Sequence, residues 1–305
     1  MTNMRSQTFG VEIEMNNIRR DKAAEVAARF FETYRYEYTA DRNGYYSWSA
    51  YDTQGREWKF QRDSSIAGPD AEKCEMVTPI LNYNDIEMLQ ELVRQLRHAG
   101  AKSDSTRGCG VHIHIGSDGQ DATSLRHLTN MMYRYEDLIT KALWIGRNRI
   151  NAYCRPVDTR FIQELNEKKP TTMDELADVW YTSQHATCGR ANHYNLSRYH
   201  MLNLHATFTK GTIEFRLFQF DKPGRTYRGG LHAGKLKSYI QFCLAMCDMA
   251  KNMEDSKAEK VDLSNPKYEM DRWLREMKLN SDEFDTLRLV FLEHLDGDIT
   301  MRNIA

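Results

Sequence analysis

Three separated segments of the chain alternate apolar and charged residues with a period of two: GVEIEM (Gly10–Met15), VHIHI (Val111–Ile115) and TIEFRLF (Thr212–Phe218). Successive side chains of a strand point to opposite faces. Glu12 and Glu14 therefore share one face, with Val11, Ile13 and Met15 on the other. His112 and His114 share a face in the second segment, and Glu214 and Arg216 in the third. Each segment is expected to be a strand with an apolar back, which calls for covering helices, and a charged front.

The rest of the chain supplies those helices. DKAAEVAARFFETY carries alanines and large apolar residues at helical spacing. Asn84 and Glu87 are read as the capping pair of a helix that ends at Gly100, with Ile86, Leu89, Leu92, Val93 and Leu96 as its stripe. A long helix is expected from about Thr123 to Trp144, a short one after Thr172 with Glu175 closing a capping box, and another from about Leu231 to Lys251. The aromatic stretch before Asp63 reads as a β-hairpin, and CEMVTPI as a short strand stopped at Pro79. MLNLHATF and TIEFRLF are expected to be two strands joined by a tight TKG turn. The fold class is α+β. No repeat, low-complexity tract or linker divides the 305 residues, so a single domain is expected, with a helical C-terminal part from about 255 to 305.

Composition removes several functions. Lysine plus arginine number 42 against 43 acidic residues, which argues against a nucleic-acid partner. No apolar run approaches the roughly 18 residues of a membrane span, and the N-terminal stretch has no apolar signal core. The six cysteines form no CxxC pair, so free thiols in a reducing cytoplasm are expected. No feature specifies an oligomeric state.

The charged fronts point to a cation site. Solvated sheet faces usually carry Thr, Lys, Ser and Gln, whereas these carry Glu, His and Arg. Any one segment alone reads as an ordinary amphipathic strand or a surface Glu–Arg pair; their joint occurrence does not. Lys59, Gln61 and Asp63 are expected on one face of WKFQRD, and CEMVTP adds Glu75. A carboxylate-rich set with imidazole favours magnesium or manganese over zinc–thiolate chemistry. Arginines beside it would hold phosphate or carboxylate oxygens by bidentate contacts.

These segments, in this order, resemble the glutamine synthetase-like carboxylate–amine ligases, and most closely the amidoligase family of bacteria and phages. FGVEIEM, RDSSI with CEMVTP, GCGVHIHIG, RYHMLNLH, and GTIEFRLF with LHAGKLKSYIQF carry the resemblance, from about Phe9 to Phe242. It implies a curved antiparallel sheet with helices packed on its convex side. It implies two or more Mg2+ or Mn2+ ions and ATP. Glu12 and Glu14 would each serve one side of a metal pair, Asp63 and Glu75 would complete one site, and His112 and Glu214 would hold the other. His114 would sit nearer nucleotide or substrate, and Arg216 would face the transferred phosphoryl group; Arg198 and Arg149 match further family arginines. Asp63 stands where larger relatives often have glutamate. The loop 219–230 is longer than the family's compact connection, and its Lys222, Arg225 and Arg228 read equally as ligands of an acidic substrate or as a solvated basic loop.

The activity so implied is ATP-dependent joining of a carboxylate to an amine through an acyl phosphate. The substrate would be an amino acid, peptide or protein, with an amine co-substrate. No GxxxxGK[ST], GxGxxG or GxSxG motif is present, and phosphoryl transfer held by cations and an arginine needs none. A metal-dependent hydrolase, or a catalytically inactive binding protein on the same scaffold, would use the same residues.

Overall fold

The computed structural model describes residues 4–39, 44–222 and 230–300. They form a mixed α+β structure with antiparallel strand pairs, and the chain falls into two compact units. One comprises Thr8–His114 and Phe218–Lys237; the other comprises Met1–Gln7, Ile115–Leu217 and Ser238–Ala305. No helix among the described residues is long and apolar enough to cross a membrane.

The elements of the first unit are β1 (Phe9–Met15), α1 (Arg20–Phe30), β2 (Tyr36–Thr39), β3 (Ser47–Tyr51), β4 (Glu57–Gln61), β5 (Cys74–Val77), α2 (Ile86–His98) and β6 (Val111–Gly116), the last crossing into the other unit after His114. Their order across the sheet is β2-β3-β4-β5-β1-β6. The register runs Ile13 opposite Met76 and Met76 opposite Phe60, a fully buried apolar row. Helix α1 packs against β2, β3, β4 and α2. Its buried residues Ala23, Ala24, Ala27 and Ala28 are small, which lets the helix come close to the strands.

The second unit contains α3 (Ala122–Ala142), α4 (Arg147–Ala152), α5 (Thr159–Lys168), α6 (Met173–Ser183), β7 (Leu202–Asn203), α7 (His205–Lys210) and β8 (Thr212–Phe218), whose last residue belongs to the first unit. Helix α8 (Ala233–Asn252) contributes its residues from Ser238 onward, and α9 (Pro266–Glu276) and α10 (Asp285–Leu292) follow. Trp273 anchors this unit, stacked on Tyr135 at 3.9 Å and edge-on to Phe242 at 5.3 Å.

Several expectations need correction. The TKG hairpin is not a tight turn between two long strands. Within MLNLHATF the strand is confined to Leu202–Asn203, which pairs antiparallel with β8, and His205–Lys210 forms the helix α7, which ends at Gly211 in the left-handed region (φ 68°). A 3-10 turn (Tyr83–Asp85) leads into α2, and the capping box sits on that turn two residues earlier than read: it is Asn82 with Asp85, not Asn84 with Glu87. Strand β4 stops at Gln61, so Asp63 lies beyond it. Helices α4 and α5, which no expectation named, precede the expected helix after Thr172, whose capping box of Thr172 and Glu175 is present. The six cysteines are all free thiols, as composition suggested.

Candidate metal centre

Strand register builds the centre. In the first unit, Glu14 stands opposite Glu75 across β1 and β5, and Gln61 stands opposite the same Glu75 across β4 and β5. One lateral row thus presents Gln61, Glu75 and Glu14. Asp63 reaches this row from a turn, where its Oδ1 accepts the Ser65 N–H and hydroxyl, each at 2.7 Å. Strand β6 is fastened beside β1 by the Glu14 N–H donating to the Gly110 carbonyl (3.0 Å), and the Gly110 N–H donates to Glu14 Oε2 at 2.6 Å.

The carboxylate of Glu12 lies between two imidazoles: Oε2 is 2.9 Å from His112 Nδ1, and Oε1 is 3.2 Å from His114 Nε2. His112 Nε2 is 3.8 Å from Glu14 Oε1. Two candidate ligand sets follow, Glu12–Glu75–His112 and Glu14–Asp63–Glu75, each with its ligand atoms within 4.8 Å of one another. Glu75 belongs to both. The charged fronts are therefore not solvated: Glu14, Glu75, His112 and His114 are all buried.

Burying this many acids has an electrostatic consequence. Burial, and then the neighbouring carboxylates of Glu12, Glu14 and Asp63, push Glu75 well above the usual carboxylate range, against the Gln61 hydrogen bond (2.7 Å). Burial acts the same way on Glu12, but the charges and hydrogen bonds of His114 and His112 outweigh it and hold Glu12 well below that range. Among the described residues, no lysine or arginine pairs with Glu12, Glu14 or Glu75. The donor set is oxygen with imidazole nitrogen, which fits Mg2+ or Mn2+. Thiolate ligation does not fit, because burial keeps Cys74 protonated and pushes Cys109 up to about 12.

The second unit groups the other candidates. Arg216 Nη1 donates to Glu214 Oε1, and Asn203 Nδ2 donates to Glu214 Oε2 at 2.7 Å. Arg149 is buried and spends one N–H on the Arg216 carbonyl (2.8 Å), while its Nε has no hydrogen-bond partner among the described residues. Arg198 donates to the His193 carbonyl, and both its guanidinium and that of Arg216 lie over the Tyr199 ring, 5.8 and 5.7 Å from the centroid. Arg225 and Arg228 lie outside the described residues, and Lys222 is exposed. Sequence reasoning gave no role to the Gly110 N–H or to Asn203. The first was signalled only by the glycines around Cys109, the second only by its place opposite Glu214.

A family model described as "putative amidoligase enzyme" matches residues 5–247. No curated protein and no solved structure matches the chain.

Proposed function

The chain belongs to the amidoligase family, and from that membership we propose that it is an ATP-dependent carboxylate–amine ligase acting on an amino acid, peptide or protein. The observation that carries this is the pair of overlapping ligand sets joined by Glu75. A single ion would leave part of the buried negative charge uncompensated, whereas two ions sharing one carboxylate would compensate all of it. Glu12, Glu14, Asp63, Glu75 and His112 would hold the ions, which when bound neutralise phosphoryl oxygens and orient the transfer.

The chemistry would run in two steps. A substrate carboxylate oxygen attacks the γ-phosphorus of ATP, the bond to the β-phosphate oxygen breaks, and ADP leaves. The amine nitrogen then attacks the acyl carbon, inorganic phosphate departs, and the amine loses its proton to a base. The family pattern assigns Glu214 to an ion, His114 to nucleotide or substrate, and Arg216, with Arg198 and Arg149, to phosphate oxygens. We carry the glutamine synthetase-like curved sheet as part of the same proposal. The free cysteines support a reducing, cytoplasmic setting.

The test is an ATP-consumption screen with Mg2+ or Mn2+ against amino acids, peptides and proteins, followed by mass spectrometry for products lighter than their parents by one water. The expected result is ADP release that depends on an amine acceptor. Metal-dependent cleavage of a substrate without ATP would replace the ligase with a hydrolase. Within the ligase, Glu214→Gln should weaken nucleotide and metal binding together. Arg216→Lys, which keeps charge but loses the bidentate fork, should spare binding and lower turnover on the order of 100-fold.

A further inference from the structure

A cavity of about 410 Å3 lies wholly within the second unit, between the start of α5, the end of α6 and the segment that leads into β7. None of the residues discussed above as metal or phosphate ligands lines it. Its wall is built. The Asn195 side chain donates to the carbonyls of Ala186, Cys188 and Gly189 (3.1–3.3 Å) and accepts from the Ser197 N–H, which fixes the loop around the opening.

The lining is rich in acceptors. His200 is buried, and its Nδ1 is 2.8 Å from the Ser197 carbonyl. A carbonyl only accepts, so Nδ1 carries the proton. Burial pushes the ring's pKa down to about 4, which keeps it neutral and leaves Nε2 a bare acceptor. Gln184 Nε2 donates to the Trp180 carbonyl at 3.2 Å, which sets the amide's orientation. Its Oε1 is buried and has no hydrogen-bond partner among the described residues, a condition that costs free energy unless a ligand or water relieves it. Asp158 caps α5 through Oδ1 (3.0 Å to the Phe161 N–H), and its other oxygen remains to accept. Against these stands one cation, Arg155, whose Nε and Nη2 point to the carbonyls of Tyr199 and Leu196, leaving N–H groups of its five-donor fork for an anion.

We propose that this cavity binds a free α-amino acid as its zwitterion, the ammonium on Asp158, His200 and Gln184 and the carboxylate on Arg155. A bare amine would meet the Arg155 charge, and a bare carboxylate would meet Asp158 and two neutral acceptors; the zwitterion suits both. The volume is at the lower end of small-molecule sites, which leaves room for one amino acid. Binding here needs neither ATP nor a cation, so its test and that of the ligase reading fail independently.

The test is a thermal-shift panel of the common α-amino acids at neutral pH without nucleotide or metal. Calorimetry on the best binder follows, with ethylamine and propionate as probes that each carry one of the two charges. One-to-one saturation by an α-amino acid is expected, with each probe at least about tenfold weaker. Asp158→Asn, which remains a good helix cap, and Gln184→Met should each weaken binding about tenfold at unchanged melting temperature. In the unaltered protein, the His200 Nε2 resonance should shift on titration. No saturation by any amino acid, equal binding of ethylamine or propionate, or a His200 resonance that stays still while the ligand binds would each overturn the proposal.

Discussion

Strands β1 and β8 carry nearly the same pattern and reach opposite electrostatic outcomes. In β1, Glu12 and Glu14 face further carboxylates and two imidazoles, and no lysine or arginine among the described residues pairs with them. In β8, Glu214 has Arg216 two residues on and Asn203 across the strand pair. Glu14, Glu214 and Arg216 are buried and Glu12 is only partly exposed, so neither front can rely on bulk water. The first group is left with excess negative charge and a shared carboxylate whose ionisation is resisted; the second carries its own counter-charge. A local i, i+2 motif therefore says that two charges share a face, and only the neighbouring strands decide whether they need a cation.

The sharpest way to break that comparison is Arg216→Met. If the β8 pair is self-compensating, removing the guanidinium strands a buried carboxylate and should cost roughly 3–5 kcal/mol in urea unfolding. A loss below about 1 kcal/mol would place Glu214 with the uncompensated acids of β1 instead.

Glu136 tests the comparison from a third position, because it has a cation beside it and is still perturbed. Burial raises it to about 7, although Lys260 and the Val157 N–H both favour its ionised form. Its folded pKa lies above the ordinary glutamate value of 4.5. The stability it contributes is therefore fully present below about pH 4.5 and is lost as pH rises through about 7. The loss should be on the order of 1–3 kcal/mol between those limits. Glu136→Gln keeps an acceptor for Val157 and should flatten this part of the stability–pH curve. An unchanged curve would show that Lys260 compensates fully.

The smallest effect runs the other way. Glu75→Gln relieves carboxylate crowding, so the metal-free protein, held in chelator, should gain about 1 kcal/mol. The same substitution removes the ligand common to both sets, so stabilisation by added Mg2+ or Mn2+ should fall, with affinity weakened about tenfold or more. Calorimetric melting with and without metal reads both. A Glu75→Gln variant that is less stable without metal, yet gains as much from it, would remove Glu75 from the centre.

What the sequence by itself determined is what depends on near neighbours along the chain. The apolar backs of β1, β6 and β8 are buried as their alternation required, because side-chain direction in a strand is fixed by the pleat. The stripe of α2 and the Thr172–Glu175 cap were legible for the same reason, since helical spacing and capping act within one or two turns. Tertiary structure alone decided three other things. It made HATFTK a helix, although the residues alternate well enough for a strand, because the ladder with β8 ends at Asn203. It built the cavity over His200 from loop segments whose contacts follow no period. It put Glu75 between Gln61 and Glu14, because register is a relation between strands, and no spacing within one segment records which residue will stand across from it.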